Sequence, residues 1–206
     1  QKAMLKEFDK AGKTIEKPWC SLALGIYSHL KYEEQAKAGQ GIEPESFIGE
    51  TLYKELKDCK SPDLTGALAI GLGLNKYTDA SDKLVELMKE NVAKEDMAGY
   101  CAIGLALMNE TRATEEIRQV VENSSRRFSL LQQAAIALGK LGDKTVAELL
   151  QKKLTDGEPN LAKLSAIAAA IGFIGDKRTI KRSPRWPWVA LPTRSRCRGT
   201  ARSAST

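Results

Sequence analysis

The side chains best suited to chemistry are few and scattered. His29 is the only histidine in 206 residues, so a multi-histidine metal centre has no ligand set to draw on. A Ser–His–Asp arrangement finds no supporting pattern. At the end of an apolar helical run, His29 reads as a C-terminal cap, a cation at the negative end of a helix. Cys20, Cys59, Cys101 and Cys197 contain no pair at zinc-ligand or redox spacing. Gly71-Leu72-Gly73 is half a phosphate-loop pattern, but it lies in a helical run with no strand before it. No catalytic, cofactor-binding or metal-binding residue is assigned, no cofactor is expected, and the chain is expected not to be an enzyme. What does recur is charge at helical spacing: Lys83, Glu86, Arg118, Glu122, Glu148 and Lys152. On the outer side of amphipathic helices these form a solvated face and the candidate partner-binding surface, with another protein as the expected partner.

The elements that position those charges repeat. Within Ala134–Asp143, the nine residues Ala135–Asp143 are echoed 33 residues on by Ala168–Asp176, and stepping back by 33 from Gly139 gives Ala106 and then Gly73. A further 48 gives Gly25. Taking Gly25, Gly73, Ala106, Gly139 and Gly172 as column 0, column −1 is always a large aliphatic: Leu24, Leu72, Leu105, Leu138 and Ile171. Columns −2 and −4 are always small (Ala23, Gly71, Gly104, Ala137, Ala170; Ser21, Ala69, Ala102, Ala135, Ala168). On a helix, columns −5, −1 and +2 share one stripe, columns −4 and 0 a second, and column −2 lies towards the other side. An aliphatic stripe with small flanks is crowded from several directions, so this helix A is expected to lie between the A helices before and after it. Gly71 and Gly104 each cost a helix about 1 kcal/mol relative to Ala, and close backbone approach is the compensation. The aliphatic column is the expected structural spine. After each A helix a short polar turn leads to a second apolar pattern, helix B, with Leu84/Met88, Ile117/Val121 and Leu150/Leu154 at columns +11 and +15. Neither helix can cover its own apolar faces, whereas stacked units can. No segment shows strand alternation.

Ala-Ile-Ala-Leu-Gly-Lys-Leu-Gly-Asp followed by Val-Ala-Glu-Leu-Leu resembles the short HEAT-like repeats of the phycobilisome-lyase type. The likeness runs over 16–180, clearest in 128–180. The Val-Arg pair that usually opens such repeats is missing at Phe128-Ser129-Leu130-Leu131 and Asn160-Leu161-Ala162-Lys163. The resemblance implies an all-α, right-handed α-solenoid, armadillo-like, of antiparallel helix pairs in about five 33-residue repeats. The units fall near 16–60, 61–93, 94–126, 127–158 and a truncated 159–180, with 1–15 as an N-terminal helix or cap. The first A helix is expected over 16–30, with Lys31–Glu45 as a loop insertion marked by Gly39, Gly41 and Pro44. Ser46 and Ser61-Pro62 read as helix starts.

The last 26 residues differ. Columns +11 and +15 of the fifth unit are Ser183 and Pro187, and Pro184 and Pro187 each cost a helix interior about 3 kcal/mol. Residues 181–206 hold one Lys and six Arg with no acid, so the net charge of +6 resolves into +7 there and −1 over 1–180. The abrupt switch from Lys to Arg, Pro and Trp reads as a frameshifted or otherwise non-native tail, basic and disordered; a natural basic tail is the alternative. With a neutral body, nucleic-acid binding is not expected, and Trp186 and Trp188 in the tail do not change that. No stretch approaches the ~18 apolar residues of a membrane span. The cysteines weakly favour a cytoplasmic setting, with a leader removed before Gln1 as the alternative.

The functional expectation is a non-enzymatic protein–protein interaction scaffold that uses the concave B-helix face. A chromophore or ligand lyase follows from the resemblance alone. A HEAT-like nucleic-acid-binding protein is the third reading.

Overall fold

A computed structural model describes residues 2–12, 15–39, 46–124, 126–143, 145–155 and 161–174. The expectation that the fifth unit lacks a second helix, and the tail at 181–206, fall on residues outside the described ones, as do Gly41 and Pro44. Among the described residues the fold is all-helical: α1 (Lys2–Lys10), α2 (Glu16–Lys37), α3 (Ser46–Asp58), α4 (Pro62–Asn75), α5 (Ser81–Glu90), α6 (Glu95–Met108), α7 (Thr114–Asn123), α8 (Phe128–Lys140), α9 (Thr145–Thr155) and α10 (Leu161–Ile174). The A helices α2, α4, α6, α8 and α10 stack one on the next. Each B helix packs chiefly against the A helix that follows it: α3 on α4, α5 on α6, α7 on α8 and α9 on α10.

α4 and α6 are apolar nearly all round, which a helix tolerates only when neighbours surround it. Leu24, Leu72, Leu105 and Leu138 are fully buried in one contiguous core, and Ile171 is half-buried against it. Beside this row the helices touch through backbone. A methyl group placed on Gly25 would lie 2.7 Å from the Gly71 Cα, and one on Gly73 would lie 2.6 Å from the Gly104 carbonyl oxygen. Gly104 in turn abuts the Ala69 carbonyl. The B helices contribute Leu52/Leu56, Leu84/Met88 and Ile117/Val121 to the same core.

The turn from A to B recurs in detail. Lys76 (φ +57°), Asn109 (φ +64°) and Gly142 (φ +83°) are left-handed at successive 33-residue steps. The next N–H of each donates back to the column −1 carbonyl: Tyr77 to Leu72 at 3.2 Å, Glu110 to Leu105 at 3.0 Å, Asp143 to Leu138 at 3.0 Å. These are six-to-one closures of helix ends, which satisfy carbonyls left over in the last turn. Gly142 and Asn109 are residue types that take up the left-handed conformation readily; Lys76 adopts it under the constraint of the stack. A 3-10 turn (Thr78–Ala80, Thr111–Ala113) then leads into α5 and α7.

Three expectations are corrected. The first A helix does not stop at residue 30 but runs to Lys37, so the insertion begins as two further turns of helix. Lys31 to Lys37 are mostly strong helix formers, and Tyr32 pins the extension by donating from Oη to the Asn75 carbonyl at 2.7 Å in a buried site. His29 therefore sits mid-helix, 3.6 Å from Glu33 one turn on, and is not a terminal cap. Ser61 does precede Pro62 at the start of α4 in an extended conformation, but its side chain makes no cap; its carbonyl accepts from Thr65 N and Oγ1.

Candidate protein-binding surface

The B helices set out the charges. Taking 100° per residue, columns +9, +13 and +16 share one flank, so Glu86, Glu122, Glu148 and Lys152 line up across α5, α7 and α9. All four are exposed. Asp82, Glu115 and Glu148 repeat at column +9, also exposed. They occupy the first turns of α5, α7 and α9, where acids are favoured by the helix dipole. The exposed flank is thus mainly acidic, with Lys152 and Lys89 as its cations.

Lys83 and Arg118 stand to either side of that flank and are half-buried. Lys83 Nζ donates to Glu86 Oε2 at 2.9 Å, which raises its pKa. Arg118 belongs to a joint between units. Its Nη2 donates to Asp143 Oδ2 at 2.6 Å, while Asp143 Oδ1 accepts from Thr145 N at 2.9 Å and Thr145 Oγ1 at 2.7 Å. The Asp143 side chain is 5% exposed, so this charge-assisted bond is shielded from water. Arg118 is held by the stack and is not a free element of the surface.

Sequence reasoning missed the matching joint one unit earlier. Glu110, equivalent in column to Asp143, is buried on the α6–α7 turn. It accepts from Ser81 Oγ at 3.1 Å, from Arg112 Nε and Nη2 at 2.9 Å each, and from Arg112 N at 3.2 Å. Those bonds from Arg112 outweigh burial and hold the carboxyl at about 2, well below the usual 4.5. The signal was available: Glu110 and Asp143 are both acids at column +4. Lys89 with Glu116 (3.8 Å) and Lys153 Nζ with the Glu122 carbonyl (2.7 Å) tie successive B helices further. Ser129 Oγ donates to Asp96 Oδ1 at 2.6 Å between the starts of α8 and α6. At the first joint Lys17, buried, meets Glu55 at 2.7 Å and lies 5.0 Å over the Phe8 ring.

A cleft of about 440 Å³ lies between the start of α2 and the α3–α4 turn, lined by Ile15, Pro18, Glu55, Asp58 and Lys60 among others. No three His, Cys, Asp or Glu side chains among the described residues could hold a metal ion together. No helix among them is long and apolar enough to cross a membrane. Cys101 is buried, and burial pushes its thiol up to about 12; Cys20 and Cys59 are half-buried.

Residues 130–156 match the family model described as PBS lyase HEAT-like repeat. That stretch takes in most of α8, the Gly142 turn and α9. The chain, all-helical among the described residues, thus carries a HEAT-like repeat. No curated protein and no solved structure matches it.

Proposed function

We propose that this chain is a non-enzymatic scaffold that binds another protein along the flank of its B helices. The reading takes the stack as a right-handed superhelix of about five 33-residue units with α3, α5, α7 and α9 on the concave side. One observation carries it. The apolar faces of the B helices are committed to the core, while polar bonds between successive units hold their outer flanks at fixed spacing. Such a surface meets a partner without the ordering cost that a flexible one incurs. Its acidic column at Asp82, Glu115 and Glu148 suits a partner segment with basic side chains.

The test is affinity capture with wild type and with a variant carrying Glu86→Lys, Glu122→Lys, Glu148→Lys and Lys152→Glu. All four side chains are exposed, so the fold should persist by circular dichroism. A partner held by wild type and lost by the variant, more weakly bound as salt rises, is the expected result. Equal capture of every protein by both would refute the surface. A second reading, a chromophore or ligand lyase, is favoured only by the description of the family model at 130–156. An absorbance change when purified protein meets a bilin would turn the choice towards it.

A further inference from the structure

We propose, on the reading of the B-helix flank as a protein-binding surface, that the groove between α5 and α7 takes one arginine side chain of the partner. The groove holds about 210 Å³ and is lined by Asp82, Val85, Glu110, Arg112 and Glu116 among others. That is below the volumes typical of small-molecule pockets, on the order of 300–1,000 Å³, and suits a single side chain. Three carboxylates stand there against one guanidinium.

The repeat shows what fills this place in the neighbouring units. The buried pairs Leu52/Leu56, Leu84/Met88 and Ile117/Val121 anchor α3, α5 and α7. Directly after the first member of each pair come Tyr53, Val85 and Arg118. Directly after the left-handed residue of the next turn come Tyr77, Glu110 and Asp143. Tyr53 meets Tyr77, with ring centroids 5.8 Å apart. Arg118 meets Asp143: its Nη2 donates to Oδ2 at 2.6 Å, and its Nε lies 3.7 Å from Glu115 Oε2. One place is thus filled by an aromatic pair and the other by a guanidinium among carboxylates. In the unit between them the position belongs to Val85, which brings neither a ring nor a charge. The groove is the space left between Val85 and Glu110.

Its carboxylates are the counterparts of those that hold Arg118. Asp82 stands in the column of Glu115, and Glu110 in the column of Asp143. Glu110 is already met by Ser81 and Arg112, which leaves Asp82 and Glu116 to receive a cation from outside. Asp82 is exposed. Glu116 has Lys89 at 3.8 Å from its Oε1, while its Oε2 is shielded from water and accepts no hydrogen bond among the described residues. A shielded carboxylate oxygen without a donor is costly, and the terminal torsion of a glutamate is soft enough to turn it towards an arriving one. An arginine lays its methylenes on Val85 and spreads its donors over Asp82 and Glu116. The compact ammonium of lysine does not match that fork.

The experiment titrates the full chain, isotope-labelled, with the peptide acetyl-Gly-Arg-Gly-amide and follows backbone amide shifts by NMR. Saturable shifts confined to α5, α7 and the turns that open them are expected. The same peptide with citrulline, which keeps the shape and loses the charge, should leave those amides unmoved, and a lysine peptide should bind more weakly. Val85→Arg copies Arg118 into the groove and should abolish binding with Tm held. Asp82→Asn, at an exposed position that leaves the fold intact, should weaken binding roughly 2–5-fold and decides the matter if Val85→Arg does not fold. The variant altered at Glu86, Glu122, Glu148 and Lys152 spares the groove and should bind the peptide as wild type does. No saturable shift, equal shifts with the citrulline peptide, equal affinity for the lysine peptide, or binding that survives Val85→Arg would overturn the proposal. A protein captured by wild type and lost by the four-site variant would leave the flank standing in each of those cases.

Discussion

Replacing Gly73 by Ala adds one methyl group to a helix, and on an exposed helix it would stabilise by about 1 kcal/mol. In this stack the sign should reverse. The new Cβ would lie 2.6 Å from the Gly104 carbonyl oxygen, 2.9 Å from its Cα and 2.9 Å from Leu107 Cβ. The first is roughly 1 Å inside an ordinary non-bonded contact. These are backbone and Cβ atoms rather than the ends of flexible side chains, so relief requires α4 and α6 to separate. Overpacking of this kind costs roughly 1–3 kcal/mol, and a gap of ~0.5–1 Å elsewhere along the joint forfeits a quarter to a half of each dispersion contact. After the propensity gain is set against this, Gly73→Ala should destabilise by about 1 kcal/mol, lowering Tm by roughly 2–4 °C for a chain of this size. Gly172→Ala makes the same change in the same repeat column, where nothing lies within 4 Å, and should raise stability by up to ~1 kcal/mol. Thermal and urea unfolding followed by circular dichroism compares the two directly. Shifts of the same sign and similar size would refute the claim that backbone contact at these columns holds the stack.

Other perturbations follow from the joints. Because the folded Glu110 carboxyl sits at about 2 against an ordinary 4.5, its stabilisation is complete above pH ~4.5 and is lost as pH falls through ~2. Glu110→Gln should therefore cost roughly 1–3 kcal/mol at neutral pH and flatten the acid limb of a stability–pH curve; an unchanged limb would argue against the Arg112 and Ser81 bonds. Arg118→Ala leaves Asp143 buried and should destabilise by roughly 1–3 kcal/mol, whereas the exposed Lys152→Asp should stay within about 0.5 kcal/mol, both read from urea midpoints. Leu138→Asp puts a charge in the fully buried row and should remove at least the helices from α8 onward, by more than about 4 kcal/mol and with visible loss of helical circular dichroism. Cys101, buried with its thiol near 12, should resist alkylation in native protein and react once urea unfolds it, while Cys20 and Cys59 react first; peptide mass mapping separates the three.

Much of the architecture was legible in one dimension because the stack is close to one-dimensional. Each unit touches mainly its neighbours, so a 33-residue spacing in type becomes a spacing in space. The small columns foretold the close contacts of Gly71 and Gly104, since only a missing side chain lets two helix backbones meet. The candidate surface was legible only as a pattern of exposure. Glu86, Glu122, Glu148 and Lys152 do share a flank, but Arg118 is drawn into a bond with Asp143, 25 residues away. Helical period says which side a residue faces and is silent on which long side chain folds back to a neighbouring unit. The exposed stripe of Trp19, Ala23, Ile26 and Leu30 was present in the sequence at ordinary helical spacing, and it is indistinguishable there from a core stripe.

The sequence by itself determined the helical class, the identity of the A and B helices over most of the chain, and the residues that line the buried row. Periodicity and side-chain volume are local properties, and they suffice for these. Tertiary structure alone decided the length of α2, the left-handed turn at Lys76, the burial of Glu110 and of the Asp143 side chain, and which helix faces stay exposed among the described residues. Each of those depends on what a second, distant segment supplies, such as a carbonyl for Tyr32 or a joint for Arg118.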